Sequence, residues 1–383
     1  MTNEFDVVVI GGGIMGLSTA VAMRQRHFSV ALIDTGALDL EACNKSRVYA
    51  LNRASQALLQ TLGVWPLIED SSVPYRHMHV WDAATHAHID FDARMIGCNQ
   101  LGVIVDEARI KEYLLAQARV LQVALMPHNR IHSIKQDGMH QLLNTNGTLL
   151  RSRLLMVADG AQSATKELLN VSTTSWPYHQ HAITATVSTE KPHQNTAYQI
   201  FTPHGPLAFL PLQDVCQCSI VWSSSINYAQ MLMALSDDAF SQQLTQAFEA
   251  KLGTVRVQSI RQKFPLHMRH STRYSGNNWL ILGDAAHTIH PLAGLGLNLG
   301  LADLTSFLQL LDKEPHCRWS QKTLRAYQRQ RKYAVWQTIA LMQGLKTLFS
   351  HPFPPIATLR GMGLHVCNHL PLLKRLLIEH AAG

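Results

Sequence analysis

Short aliphatic runs punctuate the chain, and several lead straight into glycine-bearing turns. Residues 5–10 (FDVVVI) form the first run, apolar enough to be buried on both faces of a parallel sheet. Residues 30–33, 154–157 (LLMV) and 279–282 (WLIL) are runs of the same kind. Helical patterning follows the first turn to about residue 25, begins again near residue 164, and covers about 297–311. A different rhythm occupies residues 77–81, 88–91, 182–188, 207–212 and 218–222, which predict strands, with Asp214 in the turn between the last two. From residue 322 the pattern is helical to about 348, breaks at the prolines of 352–355, and continues as two shorter helices. The expected fold class is therefore α/β, with a β-rich layer and a C-terminal helical segment.

Composition narrows this picture. With 46% hydrophobic residues among 383, a large core is available and wholesale disorder is excluded. Charged residues are only 15%, below the roughly 25% of an average chain, which points to much buried or covered surface. The net charge of +7 and the 21 histidines favour anionic cofactors, anionic lipid or nucleic acid. Basic residues are spread out, however, and no aromatic-plus-basic strand motif appears, so no nucleic-acid partner is expected. Six cysteines are scattered. Cys216-x-Cys218 is the only close pair and lacks a second pair at zinc spacing, so no metal site is expected either. Residues 7–23 carry no charge, but three glycines interrupt them and the leader holds Glu4 and Asp6. They read as strand, turn and helix rather than a membrane span or signal peptide, which predicts a cytoplasmic chain.

The first chemical signature is Gly11-Gly12-Gly13-Ile14-Met15-Gly16, a G-x-G-x-x-G between a strand and a helix. Gly11 suits the tight turn, Gly13 the close approach of a pyrophosphate, and Gly16 close helix–strand packing. Unpaired N–H groups at the helix start favour the phosphates, and Asp34, at the end of the second strand, is placed to accept a ribose hydroxyl. The unit thus predicts a Rossmann-like dinucleotide site, for NAD or FAD alike. Two later strands also end in an acid: Ala158-Asp159-Gly160-Ala161-x-Ser163, and Gly283-Asp284-Ala285-Ala286-His287 running on through His290-Pro291 to Gly294-Leu295-Gly296-Leu297-Asn298. Ligands gather at such strand ends in open α/β sheets.

These three motifs, in this order, resemble class A flavoprotein aromatic monooxygenases. The segments 47–52 (RVYALN), 205–212 (GPLAFLPL), 218–222 (CSIVW) and 283–294 make the chain look most like the ubiquinone-biosynthesis hydroxylases, in particular the branch acting at C5 of a polyprenylphenol ring. The resemblance spans nearly the whole chain and implies FAD as cofactor and NADH or NADPH as transient reductant. It implies O₂ as co-substrate, activated as a flavin hydroperoxide, and a polyprenylated phenol as substrate. It further implies other quinone-biosynthesis proteins as partners. Gly11, Gly13 and Gly16 would hold the pyrophosphate, Asp34 the adenosine ribose, and Arg47 would contact the cofactor. Asp159 would serve cofactor and nicotinamide nucleotide, Asp284 the ribityl side, while Pro291, Gly294, Gly296, Leu297 and Asn298 would line the isoalloxazine. By the same resemblance, residues 1–75, 100–177 and 268–330 would build a discontinuous FAD-binding domain, 76–99 and 178–267 a β-rich substrate domain, and 331–383 the C-terminal helices.

The chain departs from the family pattern at Leu295, where glutamine is usual, and at Asp106-Glu107, where Glu-Asn is usual. Leu295 keeps open a catalytically silent FAD-binding subunit. A halogenase would carry W-x-W-x-x-I, and a disulfide-reductase type a second glycine fingerprint with a redox cysteine pair; both are missing from the sequence.

Simpler readings stand beside these. Arg47 could be a solvent-facing helical residue, and Asp159-Gly160 only a turn. Asp284, between Leu282 and Ala285, would be costly to bury without a partner. His287 and His290 read as hydrogen-bonded structural histidines rather than bases. His86-x-His88 and His179-x-His181 read as alternating strand positions, and residues 325–333 (RAYQRQRKY) as a solvated helix face. Residues 370–378 (LPLLKRLLI) fit either an interfacial helix meeting anionic lipid or a helix packed on the FAD domain.

Overall fold

The computed structural model describes residues 3–38, 47–289, 294–314, 319–350 and 354–370, with 372, 374–375 and 377–378 beyond. A first sheet is built around the strand Asn3–Ile10, which pairs in parallel with Val30–Ile33 on one side and Leu149–Val157 on the other. Trp279–Ile281 joins in parallel beyond Leu149–Val157, and Ala124–Met126 beyond Val30–Ile33. Val7, Val8 and Val9 are fully buried, which is what a run without alternation demands. The register sets Ile10 opposite both Ile33 and Val157, and Val157 opposite Ile281. The turns after these four strands therefore line one edge of the sheet.

A second sheet of nine strands follows the order His287–Thr288, Gln262–Ser271, Thr173–Thr189, Gln217–Ser225, Gly205–Pro211, Thr196–Thr202, His77–Asp82, His88–Asp92, with Val255–Val257 paired to Thr173–Thr189. Parallel pairing of His77–Asp82 with Thr196–Thr202 carries the early hairpin into this sheet. Its own core holds Phe209, Trp222, Phe240 and Phe248. The chain crosses between the two sheets within a few residues, since Trp279–Ile281 belongs to the first and His287–Thr288 to the second. A small third sheet joins Val48–Asn52, Gly102–Asp106 and Val73–Tyr75.

Some expectations need correction. The helix expected from residue 164 is only Thr165–Leu168; Asn170 takes a left-handed conformation (φ 51°) and stops it. His86 is a left-handed turn residue (φ 54°) between two strands, and His179 (φ 54°) lies where the Thr173–Thr189 register shifts between Pro177 and Gln180. Neither His-x-His pair is thus a plain alternation. The long helix Gln321–Ser350 packs its first half on Leu295–Leu311, and the next helix, Pro354–His369, packs on the strand His88–Asp92 of the second sheet rather than on the first. Residues 325–333 are not uniformly solvated, because Tyr327 and Arg331 are buried.

Candidate functional site

The glycine turn is shaped by lack of room. A side chain on Gly11 (φ +108°) would strike the Ala158 carbonyl, and one on Gly16 would strike the Gly11 carbonyl oxygen. Gly13, by contrast, faces open space: among the described residues, nothing beyond its own chain neighbours and helix backbone lies within 4 Å of where its Cβ would be. Gly13 caps the helix Ile14–Gln25 with no side-chain bond, so the N–H groups of the first turn point outward for a ligand. Asp34 accepts hydrogen bonds from the Gly12 N–H and, at 2.6 Å, from the Gly36 N–H, which fixes the carboxylate beside the turn with lone pairs to spare.

Asp159 adjoins this turn, its Cα 2.9 Å from a Cβ built on Gly11. Its Oδ2 accepts from the Thr165 hydroxyl at 2.7 Å, while its buried Oδ1 has no partner among the described residues. A buried acceptor without a donor is a place for a ligand hydroxyl or N–H. Lys166 is 6% exposed, and burial pushes its pKa down; Asp159 opposes that shift and Arg269 reinforces it. Arg269 donates to the Ala161 carbonyl at 3.0 Å.

The third motif supplies the far side. Gly283 (φ +62°) lets the chain turn over Met15, whose Cγ would sit 2.8 Å from a Cβ there. Asp284 is exposed, not squeezed into the core as the flanking apolar residues imply, because this left-handed glycine swings it outward. Solvent reaches the carboxyl within a crowded surround. Desolvation raises its pKa, while His287 and Arg47 pull it down. Arg47 precedes a strand rather than sitting in a helix. Its guanidinium lies 4.9 Å from the centre of the Tyr49 ring and 3.6 Å from Glu107, so the acid that departs from the family pattern faces this arginine. The buried acid of this corner is Asp303, which pairs with His287 at 2.7 Å and Arg331 at 2.6 Å. His287 is thus the structural histidine expected; His290 and Pro291 lie outside the described residues.

Asn298 does not face the cleft. Its amide donates to the Ala50 and Gly294 carbonyls, and its oxygen accepts from the Asn52 N–H and the Ser55 hydroxyl. It pins the strand Val48–Asn52 to the helix Leu295–Leu311. A Cβ on Gly294 (φ +63°) would lie 3.2 Å from that of Ala50, Gly296 faces open space, and Leu297 is half-buried. Leu295 packs against both the main core and an apolar cluster of Val80, Ile89, Phe201 and Met342. Three participants were not singled out in the sequence: Lys166, Arg269 and Asp303. Only Asp303 had a signal, as a lone acid inside an apolar helix.

Glycines at 11 and 16 where no side chain fits, a third at 13 that opens on the cleft, an open helix start, an orphaned buried carboxylate oxygen and a ribose-placed aspartate together fit FAD. The fold and site define a dinucleotide-binding protein. Residues 4–341 match the FAD binding domain family, and the chain belongs to it. It is a FAD-dependent monooxygenase. The chain is 30% identical over 393 residues, covering all of both chains, to 3-demethoxyubiquinol 3-hydroxylase of Escherichia coli. It is 30% identical over 389 residues to ubiquinone hydroxylase UbiL of Rhodospirillum rubrum, covering 99% of this chain and 89% of that one. Among solved structures, p-nitrophenol 4-monooxygenase PnpA from Pseudomonas putida superposes with a TM-score of 0.82 at 17% identity, covering 100% of this chain and 99% of that one.

Proposed function

We propose that this enzyme hydroxylates the aromatic ring of a polyprenylated phenol in ubiquinone biosynthesis. One oxygen atom of O₂ enters the ring and the other leaves as water, while NADH or NADPH gives up a hydride. The observation that carries this reading is the full-length similarity to a demethoxyubiquinol hydroxylase. FAD, when bound, supplies the redox chemistry that passes electrons from the nicotinamide to O₂.

The chain's own residues bind and orient. The turn at Gly11, Gly13 and Gly16 would receive the pyrophosphate, Asp34 the adenosine ribose, and Asp159 Oδ1 a hydroxyl of the cofactor or reductant. Arg47 and Asp284 would face each other across the ribityl side. Gly294, Gly296 and Leu297 would lie against the ring through backbone and an apolar edge, with Asn298 holding that turn from behind. Phe201, Phe349 and Leu295 border an apolar wall suited to an isoprenoid chain, the Phe201 and Phe349 rings stacked at 3.8 Å. The test is direct. Purified protein should be yellow and should consume one NADH or NADPH per hydroxylated demethoxyubiquinol-type product detected by mass. Bound flavin that is reduced and reoxidised without any hydroxylated product of this class would overturn the substrate reading.

The tail supports contact with an anionic membrane surface. No helix of the described residues is long and apolar enough to cross a membrane. Met362, Val366, Leu370, Leu372 and Leu377 are 40–79% exposed, however, and Lys374 and Arg375 stand among them. The protein should pellet with phosphatidylglycerol liposomes and not with neutral ones, and Met362→Asp with Val366→Asp should abolish pelleting while FAD stays bound. Equal pelleting of this double variant would remove the proposal.

A further inference from the structure

Behind the cleft-facing Gly283–Asp284 turn lies a charged cluster shut off from solvent. Asp303, fully buried on the helix Leu295–Leu311, accepts three hydrogen bonds. Its Oδ2 takes the Gly283 N–H at 2.9 Å and the His287 Nε2–H at 2.7 Å, and its Oδ1 takes the Arg331 Nε–H at 2.6 Å. Arg331 also donates to the Leu299 carbonyl, at 3.2 Å. The Gly283 N–H and the Arg331 guanidinium can only donate, so an ionised carboxylate, which accepts on both oxygens, suits the site. The same face of the long helix grips the strand leading into the turn. Tyr327 donates to the Ile281 carbonyl, the Gln328 side-chain amide oxygen accepts from the Tyr274 and Ser275 N–H groups, and the Ser275 hydroxyl donates to the Leu324 carbonyl. Residues 324, 327, 328 and 331 recur at helical spacing, so one stripe of one helix serves the whole strand.

We propose that Asp303 is a positioning residue of the FAD site. It fixes the Gly283–Asp284 turn through the Gly283 N–H and His287, and Arg331 holds it in place. Asp303 does not reach the cleft and touches no ligand; its effect passes through the backbone amide that begins the turn. Backbone bonds flank the turn, since the Gly283 carbonyl accepts from the Ala286 N–H at 2.9 Å and the Leu282 N–H donates to the Val157 carbonyl at 3.0 Å, and Asp303 adds the bond that takes the Gly283 N–H itself. Swapping the carboxylate for an amide of equal size presents an N–H₂ to a donor on one side or the other. A mere change of packing is thereby separated from a change of hydrogen bonding.

The holoenzyme tests this by FAD release on dilution, read as free-flavin fluorescence, with visible circular dichroism of the bound flavin as a second signal. Asp303→Asn should speed release by about 10- to 100-fold, the range of an unsatisfied buried donor. It should also lower the Tm, because Arg331 loses its counter-ion. The double variant Asp303→Asn with Arg331→Met removes that orphaned charge. The proposal requires its Tm to recover while fast release and the altered flavin dichroism persist. Recovery of both Tm and FAD retention would make Asp303 a stability residue only and overturn the proposal. If the single variant does not fold, His287→Gln leaves the Asp303–Arg331 pair intact. Faster release with an altered dichroism then supports the proposal, and wild-type release overturns it. Because release and dichroism are read without substrate, the outcome does not depend on which ring is hydroxylated.

Discussion

Gly16→Ala should yield protein that emerges colourless. The added methyl would occupy the position of the Gly11 carbonyl oxygen, and neither group has anywhere to go. Gly11 is itself pressed against the Ala158 carbonyl at φ +108°, and the Asn3–Ile10 strand behind it is paired on both sides. Overpacking a well-fitted core side chain costs about 1–3 kcal/mol, and here the obstacle is backbone held by two strands, so the upper end is the floor. We expect FAD affinity to fall by more than about 100-fold, equivalent to about 2.7 kcal/mol. Gly13→Ala is the informative contrast. Among the described residues nothing beyond the local backbone lies near its Cβ position, so the variant should fold with an unchanged Tm when FAD is stripped. Whatever the new methyl meets must then be the ligand, and a loss of about tenfold in FAD affinity would register it. Equilibrium titration of flavin fluorescence measures both. A yellow Gly16→Ala protein with wild-type affinity would contradict this account of the turn.

The contrast between these glycines shows what the sequence carries and what it withholds. The strand at residues 30–33 is legible because four consecutive aliphatic residues admit few alternatives to a doubly buried strand. The dinucleotide unit is legible because its glycines and Asp34 act within one continuous segment. Long-range pairing is not. Nothing local in residues 77–82 announces a parallel partner at Thr196–Thr202, and nothing in residues 279–288 announces that they pass from one sheet to another. Acids behave in the same way. The sequence marks Asp284 as a buried charge because its neighbours are apolar, yet one left-handed glycine turns it into the cleft. The charge that is buried, Asp303, is held by His287 and Arg331 from two other elements. Periodicity likewise placed Arg331 on a solvated face, since the helix it belongs to meets its partner only after the chain has folded.

Removing one member of the second buried ion pair should be the most damaging single change to stability outside the cofactor turn. Arg360 donates from Nε and Nη2 to Asp82 Oδ2, at 3.0 and 2.8 Å, and both side chains are at most 3% exposed. Its remaining nitrogen donates to the Leu348 and Phe349 carbonyls, which closes the end of the long helix. Asp82 in turn accepts from the Thr85 hydroxyl at 2.7 Å, in the hairpin turn that brings His88–Asp92 beside His77–Asp82. Arg360 therefore ties three things together: the helix Pro354–His369, the end of the helix before it, and the edge of the second sheet. Arg360→Met leaves Asp82 as an uncompensated buried charge, and breaking such a pair costs about 3–5 kcal/mol. Urea unfolding should show that loss, and Asp82→Leu combined with Arg360→Met should regain most of it, because the charge that suffers is then gone. The functional consequence is local. Phe349 stacks on Phe201 and lies 5.1 Å from the Arg360 guanidinium, so the apolar wall beside Leu295 loosens when the arginine is lost. FAD should stay bound, since none of the turns at the first sheet's edge is touched. The KM for a prenylated phenol should rise more than kcat falls, whereas equal losses in both, or a bleached protein, would place Arg360 in support of the cofactor rather than of the substrate wall.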